Sequence, residues 1–386
     1  MRGRTGFLVL ALIFLLGAAP PFDPLPDPAE WGRENVRENP WLGVFADALQ
    51  GMENHGGPSL EELDSYLQGK GWSWQPLSWV QSLMSAFLGE GARAALQVAG
   101  LLLLALLGSL LLALRQDGES GAMAAAADLA LYLLLAALAL ASFYGAVEMA
   151  VGVVLQLRDL LLAALPLLIS LLASSGALLS AGLLHPILLF LVHTLLLAVA
   201  QGVLPVLFLS VVAETLSHLP GTFSLQGLAA LLRQGALGFL GLSLVVFLGI
   251  VSIQGYAGAV ADGLGLRTAK YAASTFIPVL GGVFSDATEL VLSAGQWLRT
   301  GVGLVGLVAV VTFLAYPLMK LLALILVYRL GAAFLEPLGS VPASRLFATM
   351  AEGLTSLTLA VGAASLLGFL ALGATLLAGS MTAMLR

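Results

Sequence analysis

The sequence has no cysteine, and only 10% of its 386 residues are charged. The first absence removes disulfide frameworks, thiolate nucleophiles and Cys-ligated zinc or iron–sulfur centres. The second excludes an ordinary soluble enzyme, in which about a quarter of residues carry charge. Basic blocks are missing as well. The 16 Lys and Arg residues face 22 Asp and Glu, a formal net charge of −6, and no Lys/Arg run offers the footprint of a nucleic-acid binder. What replaces charge is apolar surface: 59% of residues are hydrophobic and the mean hydropathy is +1.00. Such runs exceed what the core helices of a globular fold need, so the expected class is an all-α polytopic membrane protein.

The chain opens with MRGR, continues as the apolar run FLVLALIFLL and reaches the small residues Gly17, Ala18 and Ala19. That order of charged, apolar and small residues predicts a signal sequence over residues 1–19, with Arg2 and Arg4 left inside and the following chain exported. Pro20 directly after the best cleavage position leaves removal or retention open. From Pro20 the composition turns acidic, with ten carboxylates between Asp23 and Asp64. Residues 20–92 read as a small exported helical region. Ser59 and Glu62 have the spacing of a capping box, and Trp72, Trp74 and Trp79 suit an interfacial helix.

Residues 93–386 form the multi-span region. A span needs about 20 apolar residues, which Ala94 to Leu114 and residues 122–147 supply on either side of a short polar turn. No Asp, Glu, Lys or Arg occurs from Leu160 to Ala213. That stretch has room for two spans and a third broken one, with interruptions at Ser174-Ser175-Gly176 and Gly202 to Pro205. Later spans are expected at Ala236 to Ala257, within Val302 to Leu335 as one kinked helix or a tight pair about Pro317, and at Leu354 to Ala378. The total is about seven, within bounds of about six and eight. Residues 219–235 read as an amphipathic interfacial helix.

Few motifs point to chemistry. Gly301, Gly303 and Gly306 match GxGxxG, but they lie in an apolar span with no strand before them, which favours close helix packing over a dinucleotide. Gly235, Gly238 and Gly241, and Ala364 with Gly368, have similar packing spacings. His185 and His193 are too far apart for an HExxH pair, and each is expected to hydrogen-bond within the bundle or line a wet cavity. No GxSxG elbow occurs. The expectation is no catalytic residue, no metal site and no cofactor.

Residues 249–300 are the most informative. Asp262, Arg267, Lys270, Asp286, Glu289 and Arg299 cluster there between apolar spans, with Gly263, Gly265, Pro278, Gly281 and Gly282 able to interrupt helices. Non-helical backbone at membrane depth is tolerated only inside protein or beside water, so a broken or re-entrant element is expected. Arg267 with Lys270, and Asp286 with Glu289, are each three residues apart and could meet across a hairpin. The plainer alternative is a loop with solvated charges.

Within this stretch, GIVSIQGYAGAVADGLGLRTAKYAASTFIPVLGGVFSDATELV and VGLVGLVAVVTFLAYPLMKLLALILVYRLGAAFLEP resemble the stage III sporulation protein AE family of endospore-forming bacteria. The likeness covers about residues 245–340, with a weaker echo in ALPLLISLLASSGA at residues 164–177. It implies a mother-cell protein in the outer forespore membrane, a non-enzymatic subunit of a secretion-like channel complex joining mother cell and forespore after engulfment. The implied partners are other membrane proteins of the same sporulation operon, their ATPase, and stage II sporulation protein Q across the intermembrane space. Asp262, Arg267, Lys270, Pro278, Gly281, Gly282, Asp286 and Glu289 are the motif positions expected to matter. The competing reading is an independent secondary transporter built on broken helices, which should carry inverted repeats. No convincing duplication relates residues 94–235 to 236–386.

Overall fold

The computed structural model describes residues 76–113, 122–219, 224–276, 281–337 and 341–384. The proposed signal and most of the acidic region, with Ser59, Glu62, Trp72 and Trp74, lie outside the described residues, as does Pro278. All regular structure among the described residues is helical. The elements are α1 (Pro76–Ala113), α2 (Ala122–Ser174), α3 (Leu178–Ala198), a π turn (Val199–Val203), α4 (Leu204–Ser217), α5 (Gln226–Phe276), α6 (Gly281–Leu335) and α7 (Val341–Met384).

Six helical units among the described residues are long and apolar enough to cross a membrane, because α3, the π turn and α4 form one continuous unit. The sequence expectation of about seven counted Leu160 to Ser174 towards a separate span. In the structure that segment is the end of α2, where Leu161, Leu165 and Leu172 are fully buried. Its apolarity serves the protein core as well as the bilayer, and hydropathy alone does not separate the two. The apolar part of α2, Ala126–Ala173, is 48 residues long. At 1.5 Å per residue it measures about 72 Å, more than twice a hydrocarbon core of about 30 Å, so part of it needs protein cover.

Three other expectations change. Residues 226–235 do not lie as a separate interfacial helix but form the first turns of α5. Gly263 and Gly265 do not break α5, which ends at Phe276, while Gly281 and Gly282 begin α6; residues 277–280 between them, with Pro278, lie outside the described residues. Pro317 sits inside α6 without splitting it, which resolves the choice there in favour of one helix. The boundary drawn at residue 92 also falls inside the uninterrupted α1.

The described helices share one buried cluster, with α6 against α7 the most extensive pairing and α2, α5 and α1 packed around them. Small residues set several of these approaches. A Cβ on Gly303 would meet Leu376 at 2.1 Å, and one on Gly368 would meet Leu161 at 2.9 Å, so both glycines act in packing as their spacing suggests. Gly235, Gly238 and Gly241 differ: each is exposed, with nothing within 4 Å of an added Cβ.

Candidate functional site: a helix end capped by Asp262

Among the described residues, a sharp reversal buried in the protein lies between α2 and α3. Leu172 O accepts from Ala177 N at 3.3 Å and Ala173 O accepts from Gly176 N at 3.0 Å, while Gly176 has φ 87°. This is the Schellman pattern, and its left-handed position favours a residue without Cβ. Two residues later α3 begins, and its N-cap residue is Ala177, whose methyl group cannot accept a hydrogen bond. The first N–H groups of α3 therefore need an acceptor from elsewhere.

Asp262, on α5, provides it. Leu179 N donates to Asp262 Oδ1 at 2.7 Å and Ser180 N donates to Oδ2 at 2.9 Å. These are the second and third helical N–H groups, the ones an N-cap side chain satisfies from the adjacent position. Asp262 is only 4% exposed, and its negative charge sits at the positive end of the α3 dipole. One turn earlier on α5, Gly258 lets the helices touch: a Cβ there would lie 2.7 Å from Ser180 Cα and 2.8 Å from Ser180 Oγ. The Ser180 hydroxyl is fully buried and has no hydrogen-bond partner among the described residues.

The other motif positions divide. Arg267 and Lys270 lie on α5 and Gly281, Gly282, Asp286 and Glu289 on α6, but their side chains fall outside the described set, as does the pairing expected between them. His185 and His193 are both exposed on α3, so neither is held by the bundle of this chain. No group of three His, Cys, Asp or Glu residues among the described ones could hold a metal.

Two polar contacts had no signal in the sequence reading. Arg233, near the start of α5, donates to Glu214 Oε2 of α4 at 2.5 Å and to Glu352 Oε2 of α7 at 3.0 Å. One turn beyond Glu214, His218 has its pKa lowered, first by burial and then by Arg345, against an opposing pull from Glu214. Near the start of α1, Glu90 is buried, accepts from Tyr316 Oη of α6 at 2.6 Å and pairs with Arg93. Apart from the Glu90–Arg93 pair, three residues apart, these contacts join residues 19 to 226 positions apart, beyond any local pattern; only their placement in or beside apolar runs could have marked them.

The cap joins two separate parts of the sequence that carry the family likeness, ALPLLISLLASSGA before α3 and the AVADG phrase of α5. The stage III sporulation protein AE profile matches residues 59–379. The chain belongs to that family. The family's stage III sporulation protein AE of Bacillus subtilis (strain 168) is 36% identical over 314 residues, covering 81% of this chain and 79% of the relative. Membership supports a role in sporulation, and the six long apolar units support an integral membrane protein. No solved structure matches the chain.

Proposed function

We propose that the protein is a non-enzymatic membrane subunit of the channel or secretion-like complex that links mother cell and forespore after engulfment. It sits in the outer forespore membrane, with the acidic region that precedes the α1 span facing the intermembrane space. There it meets stage II sporulation protein Q, while operon-encoded membrane proteins and their ATPase assemble on the remaining surfaces. The end of α5 and start of α6, with Arg267, Lys270, Pro278, Gly281, Gly282, Asp286 and Glu289, supply a polar lining or docking element.

The observation that carries this reading over chemistry or solute binding is the commitment of Asp262 to the fold. Both its carboxylate oxygens accept backbone N–H groups of α3, which leaves it poorly placed to act as a base. A transporter of the broken-helix type would offer such a helix N-terminus to an anionic substrate. Here the protein's own carboxylate fills that position, which weighs against the transporter alternative.

The test is depletion in the native spore-former, with a forespore-specific reporter read after engulfment. Loss of reporter activity and of spores, restored by the wild-type chain, is expected. Restoration by Asp262→Ala at normal membrane level would remove Asp262 from the required machinery. Normal forespore activity and normal spores on depletion would overturn the whole reading and turn attention to solute uptake.

A further inference from the structure

We propose that the outward face of the α3–π–α4 span is the contact surface between two copies of this chain. Phe190, His193, Thr194, Gln201, Pro205 and Leu209 are exposed along it. The exposed positions continue across the π turn, with Gln201 inside it and Pro205 and Leu209 beyond it, so they form one stripe along the span.

That stripe is poorly suited to lipid. It places an imidazole, a hydroxyl and a carboxamide on a helix of otherwise apolar residues, and polar groups facing hydrocarbon are costly. Pro205 also lacks an N–H, so the turn before it has one donor fewer than its carbonyls need. In a bilayer such groups are satisfied by a neighbouring helix.

The chemistry favours a second copy over a different partner. The stripe carries no formal charge, since no Asp, Glu, Lys or Arg occurs between Leu160 and Ala213. Its polar groups, a carboxamide, a hydroxyl and an imidazole, are types that both donate and accept hydrogen bonds. A surface of that kind complements itself, whereas a charged partner helix would find no opposite charge. Every copy enters the membrane with the same orientation, so a two-fold axis between copies runs along the bilayer normal. Gln201 then faces Gln201, and His193 faces His193, at equal depth. Gly202 beside them is exposed with nothing within 4 Å of an added Cβ, which permits close approach.

The native chain has no cysteine, so single cysteines report cleanly. Gln201→Cys is compared in oxidised native membranes with Leu359→Cys, an exposed position on α7. Conversion of the first to a disulfide dimer of twice the chain mass, with the second remaining monomeric, is expected. A monomeric Gln201→Cys, or a cross-linked product of another mass, overturns the proposal. Independently, co-purification of two differently tagged full-length copies in nanodiscs is expected to fall about tenfold in a His193→Leu/Gln201→Leu variant with unchanged thermal stability, the size of two interhelical hydrogen bonds. Unchanged pairing of that variant also overturns it.

Discussion

Helix α5 is tied to its neighbours near both ends by carboxylates, and the two ties differ in kind. At one end Arg233 bridges Glu214 and Glu352, with Arg233 and Glu214 about a fifth exposed and Glu352 58% exposed. At the other, 29 residues on, or about 44 Å along the axis, Asp262 is buried and meets backbone N–H groups instead of a cation. The comparison teaches that polar groups at helix ends are valued by what their loss leaves behind. Losing a surface ion pair returns charges to water, whereas losing Asp262 strands buried donors.

The largest effect should therefore come from Asp262→Ala, which is expected to destabilise the protein by about 3 kcal/mol in thermal unfolding in nanodiscs, because two buried N–H groups lose their acceptor. A smaller loss than that of Arg233→Ala would break the contrast. Next, Gly258→Ala should cost about 1–3 kcal/mol, since the new Cβ meets Ser180 backbone that cannot swing aside. Gly238→Ala sharpens the point: with open space at its Cβ, it is expected to be neutral or to stabilise by up to about 1 kcal/mol.

At the Arg233 end, Arg233→Ala should cost about 1 kcal/mol and Glu352→Ala about 0.5 kcal/mol or less, both shrinking at high ionic strength. Salt-independent losses would show that this end is as dry as the Asp262 end. The smallest effect belongs to His218, just beyond the α4 span. Its folded pKa lies below the ordinary value of 6.5, so the unfolded chain binds the proton more readily. Stability is then flat above about pH 6.5, falls as pH drops through the interval down to the folded pKa, and is flat again below it. His218→Gln is expected to flatten that part of a melting-temperature profile; an unchanged slope assigns it to other groups.

Much of the fold is legible in the sequence because long apolar runs have few other uses. The helical class, the spans near Ala94 and Leu354 and the interruption at Ser175-Gly176 all follow from hydropathy and glycine placement. Span counting is less secure, since Leu160 to Ser174 is apolar for burial against other helices. The glycines of residues 249–300 promised a break, yet glycine is tolerated in a helix braced by neighbours, and α5 runs through Gly263 and Gly265 intact. Asp262 was conspicuous as a carboxylate between apolar spans, but its partner was not. Nothing about Ala177 announces that its helix is capped by a residue 85 positions away.

The sequence by itself determined the solvent of this protein, its helical class and its sporulation family, because each is written in composition or in contiguous phrases. Tertiary structure alone decided which apolar residues face protein rather than lipid, and which N–H groups Asp262 receives. It also decided that the exposed stripe through His193 and Gln201 continues across a π turn. Each of these depends on distances between helices, and the one-dimensional pattern does not encode a distance until the chain has packed.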